Sequence, residues 1–186
     1  MKTDSLTLVQ QVMDSLYLAE QIDLLHLSIA SLTGTIETGG TDLFLDVSHK
    51  SPTQKKLYLQ KLLAEVRSPQ LKKVLDDTLQ AGDIDFFLRA HISEFLAELD
   101  HEIESITIIR LGVAIEFKDK DIRELIGVLE KRLDQKVAFD IEIDPTLIGG
   151  AVIQHGNYIS DYSLKSRLDQ FREEWKEATF SKKAAN

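Results

Sequence analysis

Apolar residues recur every three or four positions through residues 1–103, which is the spacing of one buried face of an α-helix. Ser51-Pro52 and Ser68-Pro69 each place a capping residue directly before a proline suited to a first helical turn. A further amphipathic helix is predicted from Phe87 to Leu99. Two earlier rows of this kind are Leu6, Val9, Met13 and Leu16, and then Ile22, Leu25, Ile29 and Leu32. The pattern predicts a bundle of five or six short helices.

From residue 104 onward the period of the apolar positions shortens to about two, which is typical of β-strands. The predicted order is a strand over 106–115, a helix from Lys118 or Asp119, a strand over 137–143, a hairpin around 155–157 and a helix after Ser163. A bulge is predicted at Leu111-Gly112, and a loose end over 181–186. The expected fold is therefore α+β, with a helical bundle over 1–103 and a small α/β domain over 104–186.

The most informative stretch of the sequence is Asp144-Pro145-Thr146-Leu147-Ile148-Gly149-Gly150. Its Asp-Pro step ends a strand, because a residue before proline is held extended and proline cannot donate to a ladder. Two adjacent glycines allow a bend where a Cβ would clash or where φ is positive. Leu147 and Ile148 are expected in the core of the small sheet. The stretch is interpreted as structural, since it has no catalytic features.

The residues that follow this stretch predict a turn into the last helix. Gly156 lies in the predicted hairpin turn, and Asp161 and Ser163 are expected to close the strand-to-helix turn by side-chain hydrogen bonds to backbone N–H groups. The last helix carries Leu164, Leu168, Phe171 and Trp175 on one face. Phe171 and Trp175 belong either to the last core contact or to a partner surface, and the sequence leaves both alternatives open.

Composition and charge exclude several classes of function. The chain has no cysteine, so disulfides and thiolate zinc sites are excluded. A net charge of −9 over 186 residues argues against a nucleic-acid partner, because phosphate binding needs a clustered basic surface. The sequence also lacks a phosphate-binding glycine loop, a zinc-protease motif and a nucleophile elbow. No catalytic, cofactor-binding or metal-binding residues are therefore assigned. The histidines are scattered, and none is paired at the i, i+3 or i+4 spacing of a helical metal site: His26, His49, His91, His101 and His155.

The chain shows no sign of insertion into a membrane or of secretion. No apolar stretch approaches the roughly 18 to 20 residues that a membrane span requires. The first residues lack the basic-then-apolar order of a secretory signal. The expected location is therefore the cytosol or a cytosolic membrane face.

The second half of the sequence resembles a known family. A strand-helix-strand module that ends in the stretch 144–150, followed by Gly156-Asn157 and Asp161-x-Ser163, is similar to the C-terminal domain of the delta subunit of F-type ATP synthases. The mitochondrial counterpart is the oligomycin-sensitivity-conferring protein. The detailed likeness covers roughly 106–171, with tyrosine at Tyr162 where the family usually has glycine. The helical first half fits the N-terminal bundle of that family in length and class.

The resemblance implies a stator subunit without catalytic activity or cofactor. In that family the first domain binds the N-terminal helix of an alpha subunit, and the second binds the C-terminal region of a b subunit. The complex would hold the chain at the cytoplasmic face of the cell membrane, peripherally and without insertion, and would support ATP synthesis coupled to proton or other ion transport. A free-standing helical adaptor with a helix-binding groove is the alternative hypothesis.

Overall fold

The computed structural model describes residues 4–38 and 51–184, and its chain divides into two compact units, Met1–Ile106 and Thr107–Asn186. The first unit is helical, and the second contains a mixed sheet with two helices, so the α+β class predicted from the sequence is confirmed. The described helices of the first unit are α1 (Ser5–Asp14), α2 (Ala19–Thr38), α3 (Pro52–Leu63), α4 (Pro69–Gln80) and α5 (Arg89–Glu104).

Two helices of the first unit begin where serine precedes proline. The Ser51 hydroxyl accepts a hydrogen bond from the Gln54 backbone N–H at 3.4 Å, and the Gln54 side chain accepts one from the Ser51 N–H at 3.1 Å. This reciprocal pair is a capping box. The Ser68 hydroxyl accepts from the Leu71 N–H at 3.3 Å and caps α4 through this single bond. Both predicted helix starts are confirmed.

A cluster of phenylalanines lies at the centre of the first unit. Phe86 contacts Phe87 and Phe95 edge to face, with ring centroids 5.4 and 5.3 Å apart. All three rings are buried. The helix predicted from Phe87 begins two residues later, at Arg89, because Ile84–Phe87 forms a 3-10 turn and Leu88 is extended. The turn aims Phe86 and Phe87 into the core, which a continuous helix would not do for two adjacent residues.

The second unit is a four-stranded sheet in the order β2-β1-β3-β4. Strands β1 and β2 are parallel, and α6 connects them, whereas β3 is antiparallel to both β1 and β4. The elements are β1 (Thr107–Val113), α6 (Asp119–Leu133), β2 (Val137–Ile143), a 3-10 turn (Pro145–Leu147), β3 (Ala151–His155), β4 (Tyr158–Asp161) and α7 (Leu164–Ala184).

One face of this sheet forms the core of the second unit. Alternate residues of β1 are buried, namely Ile109, Leu111 and Val113. On the parallel strand β2, Phe139 pairs with Ile109 and Ile141 pairs with Leu111. Helix α6 packs against β2 and contributes buried isoleucines. Arg110 and Asp140 lie on the opposite face and form an ion pair at 3.2 Å. The alternation therefore sorts apolar from charged side chains, as the period of two predicts.

Two sequence predictions for the second unit are wrong in detail. Strand β1 runs over Thr107–Val113 without a bulge, because Leu111 and Gly112 keep one-to-one register with both β2 and β3. The chain end predicted as loose over 181–186 is helical as far as Ala184, since α7 continues beyond the matched motif.

Over the two described ranges, no helix combines the length and the apolar character needed to cross a membrane.

Candidate partner-binding surface

The stretch 144–150 connects β2 to β3 through a tight turn. The Asp144 N–H donates to the Val113 carbonyl at 2.8 Å, and its carboxylate accepts from the Thr146 N–H at 2.9 Å. Leu147 is buried, and its Cδ1 lies 4.0 Å from the position that a Cβ on Gly112 would occupy. Leu147 therefore covers the face of the sheet opposite α6 at the end of β1.

Ile148 contradicts the expectation that it belongs to the core. Its side chain is 64% exposed, and its φ is +65°. The 3-10 turn ends at this residue, where the Ile148 N–H donates to the Pro145 carbonyl at 3.2 Å. Because the backbone reverses there with positive φ, Ile148 points to solvent while Leu147 points inward. A β-branched residue rarely adopts positive φ, so this position is strained.

Gly149 and Gly150 let the backbone dock against the start of α7. The Leu164 N–H donates to the Gly149 carbonyl at 2.9 Å, and the Tyr162 N–H donates to the Ala151 carbonyl at 2.8 Å. Gly150 has a φ of +77°, and a Cβ there would overlap the Tyr162 carbonyl oxygen. Glycine is needed at Gly150 for two independent reasons, the sign of φ and the close approach of another backbone segment.

Asp161 and Ser163 close the turn that leads into α7. The Asp161 carboxylate accepts from the Ser163 N–H at 2.8 Å, and the Ser163 hydroxyl accepts from the Ser166 N–H at 3.1 Å. Both predicted side-chain bonds are confirmed. Tyr162 lies between them with its side chain exposed, and it is not among the non-glycine residues with positive φ. Tyrosine therefore fits this position without backbone strain.

The two aspartates of these turns have lowered pKa values. The hydrogen bonds that Thr146 donates hold the pKa of Asp144 below its ordinary value, and those from Ser163 do the same for Asp161. Each carboxylate accepts these hydrogen bonds best when it is ionised, so the bonds stabilise the ionised form. A carboxylate whose pKa is lower in the folded state adds stability above its unfolded pKa. That stability is lost as the pH falls through the folded-state pKa.

Helix α7 leaves the sheet after this anchored turn and exposes its side chains. Every described side chain from Arg167 to Lys176 is exposed. The helix nevertheless carries a row of large apolar residues on one face, here called the α7 apolar row, which consists of Leu164, Leu168, Phe171 and Trp175. The exposed fractions rise along this row from 45% at Leu164 to 66% at Trp175. The Phe171 and Trp175 rings lie 6.1 Å apart.

The exposure of the α7 apolar row excludes one of the two alternatives left open for the aromatic pair. Phe171 and Trp175 do not belong to the core of the second unit, and the partner surface stays a prediction. Leu164 and Leu168 are exposed on the same face of the helix, and neither was assigned to a partner surface from the sequence. Their helical spacing could be read from the sequence, but their exposure could not. Exposed apolar surface of this kind is typical of interaction sites.

The described part of the chain was also compared with the requirements of a metal site. Within the described ranges, no group of three or more His, Asp or Glu side chains could hold a metal ion. His49 lies outside those ranges, and His91 is exposed with its Nδ1 2.8 Å from the Asp85 carbonyl oxygen. What the arrangement offers is an apolar row on a helix that is fixed at one end.

Comparison with known proteins places the chain in a family. The family described as "ATP synthase delta (OSCP) subunit" matches residues 23–174, which takes in most of both units. The chain belongs to this family. The resemblance seen over 106–171 therefore extends into the helical unit, where the sequence offered a likeness of length and class alone.

Individual relatives carry the same name. The "ATP synthase subunit delta" of Persephonella marina is 36% identical over 86 residues, which cover 46% of this chain and 43% of the relative. That of Xylella fastidiosa (strain M12) is 32% identical over 113 residues, which cover 60% and 62% of the two chains. The chain thus spans about half the length of the curated relatives it matches.

A solved structure is similar over most of its length but at a low score. It is a chain of the Toxoplasma gondii mitochondrial ATP synthase hexamer, with 13% identity, 94% of this chain and 98% of that chain covered, and a TM-score of 0.37. A score this low does not establish a shared arrangement.

Alanine at Gly150 should destabilise the second unit more than alanine at Gly156. Both glycines have positive φ, but a Cβ at Gly156 meets no atom within 4 Å. Gly156→Ala measures only the cost of holding a residue with a Cβ at positive φ, which is about 1–2 kcal/mol. Gly150→Ala carries the same cost and also forces the Tyr162 carbonyl to move. Hydrogen exchange of β1 and β3, followed by mass spectrometry, measures both losses. Equal losses would show that the close approach at Gly150 has no energetic role.

The second unit should lose stability in acid through its two turn aspartates. As the pH falls below the ordinary aspartate value of 3.8, protonation removes the charge-assisted bonds of Asp144 and Asp161. The variant Asp144→Asn/Asp161→Asn retains acceptor oxygens but does not titrate. Its exchange protection in β3 should depend less on pH over this range than that of the unaltered chain. Parallel pH profiles for the two proteins would contradict the assignment.

Proposed function

We propose that this chain is the delta-type stator subunit of an F-type ATP synthase. It joins the catalytic head to the peripheral stalk, so that the stator resists the torque of the turning rotor, and it performs no chemistry itself. Membership of the delta (OSCP) family supports this role. The observation that carries the proposal is the exposed α7 apolar row, because a connecting subunit needs long-lived contacts built on a few apolar anchors.

The first unit binds the N-terminal helix of an alpha subunit in this proposal. Leu6 on α1 supports this, because it is large, apolar and 64% exposed. Its chain neighbour Ser5 links α1 to α5, because the Ser5 hydroxyl donates to the Glu98 carboxylate at 2.7 Å. An amphipathic helix laid along α1 and α5 would cover Leu6, which is helix-in-groove recognition. Glu98 would favour the positive N-terminal end of that helix.

The second unit binds the C-terminal region of a b subunit. The α7 apolar row supports this assignment, because helix α7 gains little packing from its own unit. Helices in proteins gain most of their stability from packing of an apolar face, so a partner that covers the α7 apolar row would stabilise α7. Through these two contacts the chain is held peripherally at the cytoplasmic face of the cell membrane. Ion transport itself is left to membrane subunits.

Binding of the alpha-subunit helix should depend on Leu6. A peptide that copies about the first 20 residues of the cognate alpha subunit is titrated into the full chain by calorimetry. Such a peptide forms between about five and six helical turns, or roughly 30 Å of helix, which is enough to span a groove. Leu6→Asp should weaken binding at least tenfold, or about 1.4 kcal/mol. Leu57→Asp on α3 is the matched control, since Leu57 is similarly exposed in the same unit. If neither variant changes the affinity, the peptide does not bind along α1.

Binding of the b subunit should depend on the α7 apolar row. Leu168→Asp should weaken binding of a C-terminal b fragment to the full chain by at least tenfold, because a charge in an apolar contact is not solvated. Val128→Asp on α6 should leave the affinity unchanged, although Val128 is equally exposed at 56%. The affinities of the unaltered chain, Leu168→Asp and Val128→Asp are measured by surface plasmon resonance on immobilised b fragment. Failure of both the alpha peptide and the b fragment to bind would favour the free-standing adaptor.

A further inference from the structure

The α7 apolar row has the spacing of a coiled-coil seam. Its residues are separated by four, three and four positions, so that Leu164 and Phe171 take one seam position of a heptad and Leu168 and Trp175 take the other. A helix that packs on a globular core usually has a broader apolar face. A narrow seam of this kind instead packs along a single partner helix at a shallow crossing angle.

Basic side chains border this seam at the positions that set partner choice in coiled coils. Lys165 and Arg172 flank it on one side, and Arg167 and Glu174 flank it on the other. Apart from Glu174, the acidic residues lie farther round the helix, where Asp169 is 4.0 Å from Arg172 with both side chains largely exposed. An exposed pair at this distance contributes little and leaves Arg172 able to pair across an interface. The border of the seam is therefore mainly positive.

We propose that the α7 apolar row binds one helix of another chain whose own seam is bordered by carboxylates. This inference rests on the proposed partner-binding role of α7 and specifies the chemistry of the partner. Glutamate or aspartate beside the partner's seam would pair with Lys165, Arg167 and Arg172. The partner has small residues opposite Phe171 and Trp175, because the space between two packed helices does not fit two large side chains at the same level.

A second copy of this chain fits the same surface badly. In a parallel pair of α7 helices, Arg167 of one copy would face Arg172 of the other. In an antiparallel pair, Lys165 would face Arg172 of the other copy, whereas Arg167 would face Glu174. A parallel pair thus places like charges opposite each other and also stacks Trp175 on itself, and in an antiparallel pair the repulsive and attractive contacts offset each other. A helix bordered only by carboxylates pairs with Lys165, Arg167 and Arg172 together, so the charges favour a foreign, acidic helix over a second copy.

The chain carries its own reporter for this contact. Trp175 is the single tryptophan of the sequence and lies in the α7 apolar row, so its fluorescence reports burial of the row itself. Two synthetic helical peptides serve as probes and share a seam of alternating leucine and alanine. One peptide has glutamate at the positions beside the seam, and the other has lysine there. Each is titrated into the full chain.

The glutamate peptide should shift the Trp175 emission to shorter wavelength and bind at least tenfold more tightly than the lysine peptide. The difference should shrink with added salt, because the deciding charges are exposed. Equal affinity of the two peptides overturns the proposal. So does an unchanged emission with both peptides at about 1 mM, where even a weak complex with a free energy near −4 kcal/mol would be half formed.

Charge reversal on α7 tests the border residues directly. Arg167→Glu/Arg172→Glu should remove the preference for the glutamate peptide, whereas Lys120→Glu/Lys131→Glu makes the same change of net charge on α6 and should retain it. Circular dichroism checks that both variants keep their helices. A preference that survives reversal on α7 refutes the role of these arginines.

Two further outcomes separate this inference from its alternatives. Sedimentation of the chain alone should show a monomer, and a dimer that Leu168→Asp abolishes would make a second copy the occupant and overturn the proposal. If the glutamate peptide binds as expected but a b-subunit fragment does not, the stalk assignment fails and the acidic-helix site stands. If the fragment binds through the α7 apolar row without any preference between the peptides, the site chemistry is wrong and the stalk assignment stands.

Discussion

The surface presented by the second unit depends on one close backbone contact, between the glycine pair and the turn before α7. The Gly149 and Ala151 carbonyls accept hydrogen bonds from Leu164 and Tyr162. No side chain fits between these two segments at Gly150, where a Cβ would overlap the Tyr162 carbonyl oxygen. Because α7 meets its own unit mainly at this end, the contact sets the direction in which the helix leaves the sheet. The α7 apolar row points where this turn directs it.

The two units use their apolar residues differently. The first unit buries Phe86, Phe87, Phe95 and most of its described leucines in a helical core, with exposed leucines on α1, α2 and α3. The second unit buries one face of a small sheet under α6 and keeps several large side chains in solvent. A small domain with this much exposed apolar surface buries less apolar area when it is alone. A partner that covers the exposed surface would add to the buried area. This division suits the proposed role as a connecting subunit.

Charge adds direction to that surface. The chain as a whole is acidic, with a net charge of −9, yet the seam on α7 is bordered mainly by lysine and arginine. The total charge does not describe the α7 surface, where the proposed selectivity among helices with similar apolar seams rests on the local charges. Apolar anchors and a charged border thus have separate roles. The anchors provide affinity, and the border provides selectivity.

The sequence by itself determined the class of fold, the order of the strands and helices, the capped helix starts at Ser51 and Ser68, and the family. These features are local, because periodicity, caps and proline or glycine positions act over a few residues. Only the tertiary structure decided that Ile148 faces solvent and that Phe171 and Trp175 lie outside the core. Helical spacing shows which side chains share a face, but exposure depends on whether another element covers that face. Among the described residues of the second unit, no element covers the α7 apolar row, and a one-dimensional pattern carries no information about that.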